Sequence, residues 1–185
     1  MSTVASELRV PVELLELLER LDLKYEVIDG EILVNAAPTF AHEDGRSAVF
    51  LALANAAPEE LAVLVELGFF YDALATGNRV NHTLADITVV RRSEVEDGGA
   101  VKPPLLVVEV QSPSTASKDV QFKRHVYERS GVPTYLLLDP ALRSLTVLEL
   151  QQGTYVETQY GEPPTVMHLE VPFPVDIDLG KVFRA

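Results

Sequence analysis

The chain has 185 residues, 15 Lys+Arg against 28 Asp+Glu for a net charge of −13, and no cysteine. That length fits one domain over 1–185 with 1–10 as a loose leader, and a domain of this size buries roughly 70% of its unfolded surface without needing covalent staples. The composition excludes disulfides and cysteine-held zinc or iron–sulfur sites, no apolar run approaches the ~18 residues of a membrane span, and Met1 to Glu7 lacks the basic and apolar parts of a signal peptide, so a cytoplasmic protein is expected.

Pro11 suits the first position of a helix, and Leu14, Leu15, Leu17, Leu18 and Leu21 give it one apolar face. Tyr25 to Ile28 and Glu31 to Val34 flank Asp29-Gly30, a strong hairpin signal. From about His42 to Ala56 the chain is rich in Ala and Leu and reads as a helix despite Gly45. The stretch 61–71 is ambiguous; Val63, Val65, Phe69, Phe70 and Tyr71 favour a strand from about Ala62. Residues 73–83 read as a connection, and 84–90 and 105–111 as strands separated by an acidic, Gly-rich loop at 94–99. Ser117 can cap a helix that stops at Gly131. Strands are then predicted at 132–138, 144–150, 154–159 and 165–171, and a short amphipathic stretch closes the tail. A strand–helix–strand unit over 105–138 implies a right-handed crossover between parallel strands. The expected fold is therefore α/β (α+β): a mixed sheet flanked by helices, with a C-terminal β-meander.

The run Leu105-Leu106-Val107-Val108-Glu109-Val110-Gln111 is the centre of the functional reading. Apolar, β-branched runs of this length are strands buried on both faces. An isolated ionised carboxylate there would cost several kcal/mol unless compensated. Asp86 is a second acid embedded in the preceding apolar run. Two carboxylates on neighbouring strands can hold one Mg²⁺ and leave its other positions to water and a phosphate oxygen. Lys123, on the following helix, can orient a water or offset developing charge. Together they suggest a metal-dependent phosphodiester cutter.

Simpler readings compete. Asp86 can cap a strand end. Lys123 follows Asp119 by four residues, the favourable order for a solvated ion pair. Glu26 on the first hairpin is a candidate ligand or water-orienting base, and His42 is a helix-start residue or a group behind the ligands. His82, His125 and His168 have no partners at ligand spacing and are expected at the surface. Ser112 and Ser114 read as turn and cap residues, with no nucleophile elbow around them. There is no Walker-A loop, no Gly-x-Gly-x-x-Gly after a strand and no His-Glu-x-x-His. The acidic balance opposes generic nucleic-acid binding. It is uneven, though: Arg91 to Arg143 carries a net of +1, against −14 elsewhere.

Tyr25-Glu26-Val27-Ile28-Asp29-Gly30-Glu31, His42, Ala85-Asp86-Ile87, and Val107-Val108-Glu109-Val110-Gln111-Ser112-Pro113-Ser114-Thr115 resemble the Uma2 family (formerly DUF820). So does Asp119-x-x-x-Lys123-x-x-x-Tyr127-x-x-x-Gly131-Val132-Pro133-x-Tyr135, ending Asp139-Pro140. That family belongs to the restriction-endonuclease-like PD-(D/E)xK superfamily. The resemblance implies that superfamily's fold and an acidic Mg²⁺ (or Mn²⁺) site at Asp86 and Glu109, with Val110 as a further metal-site residue. Ala85 stands where the superfamily name has proline. Gln111 stands where it has lysine; Lys123 fits the position of a helix lysine that takes over, and the Gln111 amide oxygen can contact metal or water. The implied activity is endonucleolytic, with DNA as the expected partner and a homodimer as the expected assembly. Two alternatives stand beside it: a catalytically inactive nuclease fold acting as a binding or dimerisation module, and a hydrolase of a small phosphodiester.

Overall fold

A computed structural model describes residues 10–35, 37–77, 79–96, 98–111 and 118–184. Helix α1 (Val12–Arg20) leads into the hairpin β1 (Tyr25–Ile28) and β2 (Glu31–Val34). Asp29 (φ 51°) and Gly30 (φ 83°) turn it with two successive positive φ angles, which is why Asp-Gly is favoured there. Helix α2 (Phe40–Ala56) starts two residues earlier than expected, because Thr39 caps it by accepting from the His42 N–H at 3.3 Å. Gly45 has a packing reason: a Cβ there would lie 2.9 Å from Leu138 Cδ2.

The segment 61–71 is not one strand. It divides into β3 (Leu61–Leu64) and β4 (Gly68–Phe69), which join different sheets. Glu66, at φ 52°, makes the corner. The segment 84–90 divides likewise into β5 (Thr83–Leu84) and β6 (Ile87–Arg91), with Asp86 between them. The connection before β5 contains a short helix, α3 (Ala73–Thr76). The acidic loop at 94–99 contributes to a small hairpin, β7 (Val95–Glu96) and β8 (Gly99–Ala100).

Strand β9 (Leu106–Val110), helix α4 (Lys118–Ser130) and strand β10 (Thr134–Asp139) form the crossover, and β9 and β10 are parallel. Gly131 (φ 81°) closes α4, with Val132 N donating to Tyr127 O at 3.0 Å. The cap expected at Ser117 lies outside the described residues, as do the turn residues Ser112 and Ser114; the Asp119 side chain is not described either. Strands β11 (Ser144–Gln151) and β12 (Thr154–Gly161) follow as an antiparallel meander. The tail is more regular than expected, with β13 (Val166–Leu169) pairing β14 (Val175–Asp178) before α5 (Leu179–Val182).

The large sheet has the order β12-β11-β10-β9-β6-β3. A smaller one, β5-β4-β8-β7, stands beside it, and β1 is bridged to it through Val27 and His82. Side chains alternate across β9. Leu106, Val108 and Val110 enter one core with Val49 and Leu53 of α2 and Ile177 and Leu179 near the C-terminus. Val107 enters the other with Tyr127, Val132, Tyr135 and Tyr155. Each fully buried aliphatic side chain contributes about 1.5–3 kcal/mol, so both faces hold β9 in register. Glu109 shares the face of Val107 and is thereby turned toward α4. Among the described residues, no helix is long and apolar enough to cross a membrane.

Candidate active site

Asp86 sits in the gap between β5 and β6, opposite the end of β9. The Val110 N–H donates to Asp86 Oδ2 at 2.7 Å, tying the two acid-bearing segments together. Ile87 pairs with Val108 across the antiparallel strands, so Asp86 and Glu109 lie next to each other in the sheet. The buried carboxylate of Glu109, only 7% exposed, meets two donors from α4. Lys123 Nζ lies 3.1 Å from Oε2, and the Tyr127 hydroxyl donates to Oε1 at 2.6 Å. Lys123 also reaches Glu26 Oε1 at 3.0 Å and the Leu84 carbonyl at 3.4 Å.

Glu26, 2% exposed, accepts from Leu84 N at 2.6 Å with the same oxygen that meets Lys123. It therefore braces β1 against β5 and holds the ammonium group, rather than presenting that oxygen to a ligand. His42, in the first turn of α2, points Nε2 at Asp86 Oδ2 across 3.4 Å and Nδ1 at Glu43 Oε1 across 3.3 Å. Arg46 continues the chain, bonding Glu43 and lying 3.5 Å from Glu66, which Lys24 also pairs. Gln111 N donates to Leu138 O at 2.8 Å, extending the strand pairing. Among the described residues, no hydrogen bond joins its amide group to Asp86, Glu109 or Lys123.

The electrostatics follow from burial and neighbours. Burial pushes the Glu109 carboxyl up to about 8, against the pull of Lys123 and the Tyr127 hydrogen bond; Asp86 and Glu26 push the same way as burial. Burial alone would lower Lys123, but Glu109 and Glu26 outweigh it and hold the ammonium above its ordinary range. These directions compete, since a neutral Glu109 offers Lys123 less. Lys123 keeps its proton with either carboxylate because it lies between two. For Asp86, burial raises the carboxyl, but the His42 and Val110 hydrogen bonds outweigh it and hold it below the usual range. His42 is raised, first by its hydrogen bond to Asp86, against the effect of burial.

Asp86 and Glu109 offer hard carboxylate oxygens, the donor type that Mg²⁺ and Mn²⁺ accept. Among the described residues, no three His, Asp or Glu gather as a cage for an ion. Mg²⁺ needs only one or two carboxylates and keeps several waters, and this pair supplies that number of the right donor type, with both Glu109 oxygens already bonded by Lys123 and Tyr127. Val110 meets Asp86 through its N–H, while its side chain lies in the α2-side core.

A family model described as "Uma2: Putative restriction endonuclease" matches residues 11–180. The chain belongs to the Uma2 family. A search of curated proteins matched none. Among solved structures the chain is similar to one titled "Crystal structure of a putative nuclease belonging to DUF820 from Anabaena variabilis ATCC 29413 at 1.96 A resolution". The TM-score is 0.69 at 20% identity, covering 89% of this chain and 95% of that one. At that identity the likeness establishes the fold, which agrees with the mixed sheet expected from the sequence.

The histidines divide. His125 and His168 are exposed, as expected. His82 is half-buried, its ring nitrogens 2.9 Å from Val80 O and 3.1 Å from Tyr25 O, because it helps join β1 to β5. Sequence reasoning missed Tyr127 as a partner of Glu109. Its spacing of four from Lys123 was the available signal, since residues four apart share a helix face.

Proposed function

We propose that this Uma2 protein is a Mg²⁺- or Mn²⁺-dependent endonuclease that hydrolyses phosphodiester bonds, with DNA as its substrate. The observation that carries the reading is Lys123 Nζ 3.1 Å from the buried Glu109 carboxylate, on the strand whose end holds Asp86. Asp86 and Glu109 would hold the ion, with Val110 beside them. When bound, it supplies a Lewis acid at the scissile phosphate and a more acidic water. Lys123 places a fixed positive charge next to the same carboxylate, where negative charge would develop on the phosphate oxygens. His42 aligns Asp86, and Glu26 keeps Lys123 in place.

The test is cleavage of plasmid DNA with Mg²⁺ or Mn²⁺ by the wild type and by Glu109→Ala, with folding checked by circular dichroism. The variant should stay folded and lose metal-dependent cleavage. Retained cleavage would rule out the assignment.

One observation favours a second reading, a catalytically inactive binding or dimerisation module. The net charge is −13, and the cation nearest the acids is already shared between Glu26 and Glu109. A wild type that neither binds Mn²⁺ nor cuts DNA, yet self-associates, would favour it.

A further inference from the structure

We propose that Tyr127 is a positioning residue of this site, its hydroxyl setting the rotation of the Glu109 carboxylate beside Lys123. The inference rests on the endonuclease reading above. A glutamate on a strand has three rotatable bonds, and nothing in the strand itself orients its carboxylate. Here both oxygens are taken by one helix. Tyr127 donates to Oε1 at 2.6 Å and Lys123 to Oε2 at 3.1 Å. The two donors are four residues apart and lie one above the other on α4. They form a fork that fits one carboxylate orientation. The shorter bond is the tyrosine's, in the range of charge-assisted O–H···O⁻ contacts.

Tyr127 is itself immobile. Its side chain is fully buried, edge-on to Tyr135 with ring centres 5.5 Å apart. Tyr135 packs in turn against Tyr155, whose hydroxyl donates to Val132 O at 2.8 Å, just past the end of α4. A phenylalanine would fill the same space. A hydroxyl buried there costs free energy unless it is bonded, and its bonded partner is Glu109. Partners behind metal-ligating groups commonly change metal affinity or activity by about 10- to 100-fold when lost. Without the hydroxyl, the carboxylate is free to turn and close both oxygens on Lys123.

The experiment is Tyr127→Phe, compared with wild type in four measurements: thermal melting, Mn²⁺ affinity by electron paramagnetic resonance, kcat and KM on DNA, and a crystal structure. The expected result is a folded protein with Mn²⁺ affinity and kcat each lowered by about 10-fold or more, KM little changed, and the Glu109 carboxylate rotated. Mn²⁺ affinity and kcat within twofold of wild type would overturn the proposal. So would a lowered melting temperature with Mn²⁺ affinity intact, which marks a purely structural tyrosine. A wild type that neither binds Mn²⁺ nor cuts DNA would sink the endonuclease reading instead. In that case the rotation of Glu109 between the two crystal structures decides the role of Tyr127 separately.

Discussion

Lys123→Met tests the buried charge cluster directly. Methionine keeps the unbranched chain and removes the ammonium group from between Glu26, 2% exposed, and Glu109, 7% exposed. Removing one partner of a buried ion pair costs about 3–5 kcal/mol, because the remaining charge is left in low dielectric. For a domain of this length each kcal/mol lowers Tm by about 2–4 °C, giving a fall of about 6–20 °C at pH 8. The cost should depend on pH in a definite direction. Glu109 is a carboxyl raised in the folded state to about 8. A group raised on folding adds stability that is complete below its unfolded pKa and lost as pH rises through the folded one. Lys123 pulls that carboxyl down, so in the variant it rises further and keeps its proton to higher pH, and the loss should grow as pH rises above about 8. Urea unfolding at about pH 7 and about pH 9 measures this. Adding Glu109→Gln to the variant should recover most of the loss at pH 8. A loss below about 0.5 kcal/mol at pH 8 would refute the claim that Lys123 compensates these acids.

Gly99, at φ 143°, would place a Cβ 2.3 Å from Gly68 O. Gly99→Ala should therefore push β8 from β4 and cost at least about 1–3 kcal/mol; an unchanged melting temperature would show that this contact relaxes freely. His168, exposed, is raised by its hydrogen bond to Asp176 and then by Glu170. The stability this pair adds is present at low pH and fades as pH rises through the raised value. An NMR titration should show His168 gaining its proton above the ordinary histidine range. Asp176→Asn should move it down, and an unmoved titration would break the assignment.

The parts of the fold legible in the sequence were those fixed locally. Asp29-Gly30 specified the hairpin turn, Gly131 the end of α4, and the unbroken apolar run of β9 its burial on both faces. The breaks at Glu66 and at Ala85-Asp86 were not legible. Gly68 stands just past the first and no proline or glycine marks the second, and both arise because the neighbouring residues pair with different sheets. Asp86, Glu109 and Lys123 could be named from residue type and spacing. That Lys123 is buried between two glutamates could not, because the spacing from Asp119 describes a solvated pair equally well. Tyr127 stood out only as part of the motif shared with the family, since its hydroxyl acquires a purpose only when α4 is laid over β9.

The excursion of the chain between Leu64 and Ile87 also bears on how such a protein can diversify. Glu109 is fastened to β9, buried on both faces, whereas Asp86 hangs at the seam where the backbone re-enters the sheet. Lengthening or shortening the crown built from that excursion would move Asp86 directly and would reach Glu109 only through Leu84, which meets both Glu26 and Lys123.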